Sequence, residues 1–567
     1  VGSEMCIRDR PQPMPELDFQ KAIPEDYATA IIVPVIVGSV EEVTHIAEAL
    51  EVRRLANPDP VLRFIILSDF VDAPYETMPN DEAILNELIA NIRRLNTRYD
   101  LGDGGPFLLM HRARKFNASQ KCWMGWERKR GKLEQFNRFV LGKEDNSFSC
   151  LEGKTQRLRG TRFAIVLDAD TELPPGSAAR LVGILAHPLN QAQFDGASSR
   201  LTSGYSIIQP RIEILPQTGS GTLFSHLYSG DTAIDIYSRA VSDVYQDLFA
   251  SGVFVGKGIY DIAAVERTLA GRVPENTILS HDLFEGIHGR TALASNIVFY
   301  EDFPETYTEY AQRVHRWVRG DWQLLPWLGR YVPSVGEEKL QNTFSLLDIW
   351  KIVDNLRRSL VPPSLLLFFF AAWNLFPGSA AIWTLLAIAA PGSYLVGELY
   401  AVARGGIRQD FFGDVAHRMT ERGGRWFLSI VFLVSDTLLS VDAIARTLWR
   451  VFISKRNLLE WKSAAHTSII QSNGNIRKLT WQMMWPSTAI SAFIALDLAI
   501  FEATKLLPAA PILLLWLVAP EIAIWTAKTR QVRQETLRED QKDFLRKIAR
   551  RTWHFFETFA GPNDNWL

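Results

Sequence analysis

Hydrophobic and polar positions follow two different rhythms along this chain. Up to about residue 345, short apolar runs are separated by charged, helix-patterned stretches; beyond Leu356, apolar runs of near-spanning length take over. Ala30 to Val37 (AIIVPVIV) is a continuous apolar run, the pattern of a strand buried on both faces. Ser39 then opens a helix, and Glu42, three residues on, completes a capping box. Leu62 to Leu67 (LRFIIL) predicts a second strand ending at Ser68-Asp69, Asp81 to Arg98 a helix, and Phe107 to Met110 a third strand. Phe163 to Leu167 (FAIVL) predicts a fourth strand, which runs into Asp168-Ala169-Asp170. This alternation implies an α/β domain with a Rossmann-like, mainly parallel sheet and helices on both faces. Ligands of such sheets bind beyond the carboxyl ends of the strands, where Asp69, Asp168 and Asp170 all fall.

The second regime reads as membrane helices. Leu360 to Phe376 and Ala380 to Val402 are split by Pro377-Gly378, and Met483 to Phe501 and Leu506 to Ala527 form a similar pair around Lys505 and Pro508. Runs of this length predict two transmembrane hairpins, over residues 355–403 and 481–527, and four spans in all. The connecting stretches carry Arg357, Arg358, Arg404, Arg408, Lys455, Arg456, Lys462, Arg477, Lys478, Lys528 and Arg530. With paired spans these basic residues share one side, which the positive-inside rule makes the cytoplasm. Trp426 to Ile453, inside the 404–480 loop, reads either as a further span or as a helix lying in the interface. Asp436, Asp442, Arg446 and Arg450 favour the interface, and Asp442 can pair with Arg446 one turn on.

Composition narrows this picture. A formal net charge of -2 over 567 residues gives no global case for nucleic-acid binding. The three cysteines, Cys6, Cys122 and Cys150, have neither disulfide nor zinc spacing, which fits a reducing, cytoplasmic setting for the α/β part. Val1 to Arg10 (VGSEMCIRDR) has no apolar core, so it is no signal peptide; it resembles translated sequencing-adapter sequence and is set aside. The α/β domain is expected over residues 20–345, and residues 528–567 as a linker into a further domain.

Transfer of a sugar from a nucleotide diphosphate needs a cation on the leaving diphosphate and a base for the acceptor hydroxyl. Mg²⁺ or Mn²⁺ takes carboxylate oxygens and keeps positions open for phosphate. Asp168 and Asp170 point the same way by strand alternation, so both can face such a site. A bare D-x-D also occurs by chance; its place at the tip of a strand is what gives it weight. Ser280-His281-Asp282 precedes a helix start, where Asp282 is either a general base or a plain N-cap. Arg313 to Gln323 (RVHRWVRGDWQ) is either a diphosphate- and sugar-binding helix or a basic juxtamembrane helix. Gly256-Lys257-Gly258 lacks P-loop spacing; its glycines would let backbone approach an acceptor. Arg128 to Asn137 (RKRGKLEQFN) serves phosphate or is simply solvated.

Taken together and in order, VLDADTELPPGSAARLVGILAHPLN, SGVFVGKGIYD, LSHDLFEG and HRWVRGDWQ resemble the processive inverting glycosyltransferase domain of cyclic β-1,2-glucan synthases, over nearly all of residues 24–567. The tail RKIARRTWHFFETFAGPNDNWL looks like the entry into the next, glucan-processing domain of those proteins. The resemblance implies a GT-A type fold, UDP-glucose as donor, a growing glucan as acceptor, Mg²⁺ or Mn²⁺, and a multi-pass protein among inner-membrane lipids. It implies that Asp168 contacts the nucleotide sugar, Asp170 the metal, and Asp282 the acceptor proton. It places Asp69 against uridine, Lys132 and Asn137 at the donor, and Gly256, Lys257, Gly258 and His281 near the acceptor or diphosphate. Arg316 and Trp317 match the end of the Q-x-x-R-W signature of related synthases, while Arg313 stands where that signature has Gln. Rival readings are a synthase of another β-glucan, a glycoside phosphorylase or transglycosidase with paired acid–base carboxylates, and a glucan transporter.

Overall fold

The structure, a computed structural model, describes residues 13–559 apart from 20, 101, 103, 144–145, 197–198, 216–220, 230–243, 337–338, 394–408, 461–475 and 531–536. The 1–10 prefix, the end of the first expected hairpin and the last residues of the tail therefore lie outside the described residues.

Strands β1 (Thr29–Val37), β2 (Leu62–Phe70), β3 (Phe107–Arg112), β4 (Cys150–Glu152), β5 (Phe163–Val166), β6 (Ile207–Ile214), β7 (Gly258–Asp261) and β8 (Thr291–Glu301) form one sheet. Their order is β8-β6-β7-β5-β1-β2-β3-β4. Neighbours pair parallel except β4 on β3 and β7 on both of its partners. The sheet is thus mixed, with the expected parallel run at its centre and an inserted antiparallel strand the apolar pattern does not announce. β1 shows why the centre folds as read. Ile31 and Val33 enter one core with Val43, Leu50, Leu88 and Leu181 from helices on that face. Ala30 and Ile32 enter the other, with Leu133, Phe136 and Val265. Each fully buried side chain of this size contributes about 1.5–3 kcal/mol, so the register of β1 is fixed from both faces.

Local signals mark the helix starts, though the capping box expected at Ser39 is only half made. The helix Val40–Ala56 is capped by Ser39, whose hydroxyl accepts from Glu42 N; the Glu42 carboxylate reaches back to Gly38 N, one residue short of a full box. The helix Asp81–Arg98 has the predicted bounds.

Among the described residues, Ile476–Phe501 is long and apolar enough to cross a membrane, and there are up to three such crossings if each of two bent pairs counts as one. The bent pairs are Met419–Val431 with Leu433–Ser454, at 63°, and Ala503–Leu517 with Ala519–Thr526, at 49°. Ile476–Phe501 and the second bent pair fall within the stretch read as the second hairpin. In the stretch read as the first hairpin, Leu346–Asn374 is one helix with Lys351, Asp354, Arg357 and Arg358 in its first half and Pro362-Pro363 inside it. Within Trp426 to Ile453 the chain breaks at Phe432, which stacks on Tyr307 with ring centroids 4.0 Å apart. The following helix, Leu433–Leu448, packs on the helices Tyr307–Gln323 and Leu346–Asn374. Asp442 accepts from Arg446 as the spacing predicts. Residues up to Lys528 form one compact unit, and a second unit contains the helix Glu539–Phe559.

Candidate active site

β5 delivers Asp168 to the carboxyl edge of the sheet, where two lysines meet it. Lys129 Nζ donates to Asp168 Oδ1 at 2.6 Å and to Gly256 O at 3.1 Å. Lys257 Nζ lies 3.3 Å from Asp168 Oδ2 and also binds Glu301, at the end of β8. Burial alone would raise Asp168, but Lys129 and Lys257 outweigh it and hold the carboxyl well below the usual aspartate range. Burial works against the charge of Lys257 too; Glu301, Asp168 and Asp170 overcome it and raise Lys257 above the ordinary lysine range. Asp170 moves the opposite way from Asp168. Its recessed position, with Asp168 and Glu301 nearby, raises it despite Lys257. The turn therefore holds one carboxylate already matched to cations and one in want of positive charge.

Asp282 faces this turn from the first residue of the helix Asp282–His288. Its side chain does not cap that helix, because the N-cap position belongs to His281. Asp282 Oδ1 is buried without a hydrogen-bond partner. His281 Nδ1 lies 2.9 Å from Glu285 Oε2 and 3.7 Å from Asp282 Oδ1. Burial would lower His281, yet Glu285 and Asp282 raise it above its ordinary value. Gly256 makes the approach possible. Its φ is +85°, and a Cβ there would sit 2.4 Å from Asp282 Oδ1. Gly258 has a different duty: a Cβ on it would strike Ile208 O at 2.4 Å, so it lets β7 enter the sheet.

The helix Tyr307–Gln323 closes the third side. Arg313 lies over the Trp317 ring at 4.7 Å and reaches Glu301 at 3.6 Å. Burial, with Arg313 and Arg319 close by, lowers Arg316 to about 10. Arg313, Arg316 and Trp317 line one cavity with Lys129, Lys132, Asp168, Asp170, Lys257, His281 and Asp282. Its volume is about 1840 Å³, beyond the roughly 300–1,000 Å³ of ordinary small-molecule pockets. It continues past His315 and Asp442 to Met483, Met484, Pro486 and Ser487 on the membrane-length helix.

Asp69 and Asn137 are not among the residues lining this cavity. Asp69 is buried behind the cavity, where Arg112 holds both its oxygens at 2.7 Å and Lys132 Nζ lies at 3.1 Å. Burial would raise Asp69, but Arg112 and Lys132 keep it low. Asn137 accepts from the Tyr260 hydroxyl at 2.8 Å inside the core. Lys132 does line the cavity, donating to Val35 O at 2.5 Å. Lys129, Glu301 and Arg53 belong to the site and were not singled out by the sequence. Lys129 had a signal, the basic stretch RKRGK; Glu301 and Arg53 had none, because their partners are far away in the chain.

No protein-family model matches the chain. A cyclic beta-(1,2)-glucan synthase, NdvB, of Rhizobium meliloti (strain 1021) is 36% identical over 568 residues, 98% of this chain. The chain is related to one region of that synthase. It spans about one fifth (20%) of the relative's length. Within that region, Asp168, Asp170, Asp282 and Glu301 come from the α/β domain, while Asp442, Met483, Met484, Pro486 and Ser487 come from the helical part.

A divalent cation is tested by the donor set. No group of three or more His, Cys, Asp or Glu side chains able to hold a metal occurs among the described residues. That excludes an all-protein cage, but Mg²⁺-type sites take one or two carboxylates and complete their shell with substrate phosphate. Asp170, raised chiefly by its recessed position on the cavity wall, suits such a half-site, with Asp168 beside it.

Proposed function

We propose that this chain is the membrane-embedded transferase region of a cyclic β-1,2-glucan synthase, a GT-A type inverting enzyme that moves glucose from UDP-glucose to a growing β-1,2-glucan. The observation that carries this reading is that Asp282 lines the same cavity as the Asp168–Asp170 turn and the lysines Lys129 and Lys257 that meet it. A carboxylate on the wall of such a cavity can serve as general base for a hydroxyl bound beside it. The glucan and its linkage rest on the relative's name and the sequence resemblance, and the donor on the resemblance alone.

In the proposed reaction the Asp282 carboxylate takes the proton from the acceptor 2-hydroxyl. The oxygen bonds to the anomeric carbon as that carbon's bond to the diphosphate oxygen breaks, and UDP leaves. A single displacement turns an α-linked donor into a β-linkage without a glycosyl-enzyme. Asp170, with Asp168, would hold Mg²⁺ or Mn²⁺, which supplies positive charge to the departing diphosphate. Lys129, Lys257 and Arg316 add fixed cationic groups on the same side. Trp317 offers a ring face for a sugar, and His281 is oriented by Glu285 beside the base. The α/β part would face the cytoplasm, with the acceptor running toward the membrane helices.

Membranes carrying the chain, given labelled UDP-glucose and Mn²⁺, are expected to incorporate label into β-1,2-linked glucan. Asp282→Asn should lower incorporation about 10²–10⁴-fold, and chelation of the cation should abolish it. Incorporation that persists in either case rules the mechanism out.

A further inference from the structure

The turn carrying Asp168 and Asp170 is gripped from below by a residue no motif points to. Arg53 lies in the last turn of the helix Val40–Ala56 and is 4% exposed. Its Nε donates to Thr171 O at 3.1 Å, and its Nη2 donates to Thr171 O and Ala169 O, each at 2.8 Å. Asp168 O is 3.4 Å from the same nitrogen. The guanidinium is spent on main-chain carbonyls, and Nη1 is buried with no partner at all. A buried cation with an unmet donor is costly, so packing alone is a poor reason for it. Burial lowers its pKa to about 10, opposed by Asp170, Glu172 and Asp168 at longer range. One turn on, Asn57 Nδ2 donates to Leu173 O and Pro174 O, and its Oδ1 accepts from Ala178 N. The end of this one helix thus fixes the backbone from Asp168 to Ala178.

We propose that Arg53 is a positioning residue for the cation–diphosphate half-site: by holding the carbonyls of Asp168, Ala169 and Thr171 it sets the angle at which Asp168 and Asp170 present their carboxylates. This rests on the sugar-transfer reading of the cavity. Released from Arg53, those carbonyls turn toward water, the peptide planes rotate, and the two carboxylates lose their shared aim. A fork-shaped guanidinium spans two carbonyls at once, whereas an ammonium is a single point charge.

The test uses the full chain in detergent, with Arg53→Met and Arg53→Lys. Mn²⁺ binding in the presence of UDP is followed by electron paramagnetic resonance, and UDP binding without metal by calorimetry. Metal-free UDP affinity is expected to be unchanged. The Mn²⁺ dissociation constant should rise about 10–100-fold in Arg53→Met, and by less in Arg53→Lys. A merely structural role lowers the bound fraction and leaves the constant alone, and that result overturns the proposal. Should Arg53→Met not fold, an unchanged constant in Arg53→Lys overturns it equally. A wild-type chain that binds neither UDP nor Mn²⁺ refutes the sugar-transfer reading itself, a different failure from the first.

Discussion

At the scale of single residues, the contact between Gly256 and Asp282 is the most demanding feature of the site. Gly256→Ala places a methyl 2.4 Å from Asp282 Oδ1 at a φ of +85°, so the carboxylate must move. Transfer is expected to fall on the order of 10²-fold, the usual consequence of a misplaced reacting group. Stability should fall by about 1 kcal/mol. Initial rates and thermal midpoints of the same preparation check both, and an unchanged rate removes Gly256 from the site. His111 bears on pH instead. It is buried against Ser68, its Nδ1 2.8 Å from the hydroxyl, and burial lowers its imidazole to about 4. Because the folded value lies below the unfolded one of about 6.5, its contribution is complete above pH 6.5 and is lost as pH falls toward 4. A loss on the order of 3 kcal/mol across that window is expected, and His111→Gln should flatten the dependence of the thermal midpoint on pH. The sequence showed Asp168, Asp170, Lys257 and Asp282 because each sits in a short motif at an element's end. It could not show Arg53 or Glu301, since Arg53 meets Thr171 across 118 positions and Glu301 meets Lys257 across 44.

At the scale of elements, the carboxyl ends of β2 and β3 and the helix Arg128–Val140 are tied by one buried charge cluster. Asp69 is the last residue but one of β2, Arg112 ends β3, and Lys132 comes from the helix, all nearly inaccessible. Gly125 permits this closeness, because a Cβ there would lie 2.3 Å from Asp69 Oδ2. Arg112→Met leaves Asp69 buried with Lys132 as its remaining cation and should destabilise the chain by about 3–5 kcal/mol. The double change Asp69→Asn with Arg112→Gln should cost less than the sum of the two single changes. Denaturant midpoints of the three variants and wild type decide it, and strict additivity would show that the cluster is not coupled. The same cluster shows the reach and limit of pattern reading. Apolar runs located β1, β2, β3 and β5 because buried parallel strands are nearly continuous in apolar residues. β7 was missed because GIYD is four residues long and its antiparallel entry depends on Gly258 lying against Ile208, a contact between distant segments. Asp69 is legible as a carboxylate at a strand's end, whereas its burial against Arg112 and Lys132 is not written in its neighbours.

At the scale of the whole molecule, the cavity joins two chemistries that the sequence shows only as two regimes of hydrophobicity. One end holds the carboxylates and lysines of the sheet edge, and the other reaches Met483, Met484, Pro486 and Ser487 of Ile476–Phe501. Along the way the helix Tyr307–Gln323 is fastened to the helical part by Tyr307 donating to Asp436 at 2.6 Å and by His315 lying 2.9 Å from Asp442. Under the proposed reaction, a product leaving the reacting carbon would have this cavity as its route away from the donor. Narrowing the far end should therefore act on chain growth and spare the first transfer. Met483→Trp fills the wall where the cavity meets the membrane-length helix, far from Asp168 and Asp282 in the chain. UDP release from the first turnovers is expected to match wild type, while the glucan formed should be markedly shorter by gel filtration and linkage analysis. Product of unchanged length would mean that the polymer leaves by another path, and equal loss of UDP release would mean that Met483 shapes the donor site. The first outcome alone supports a single passage that begins at the sheet edge and ends among the apolar helices.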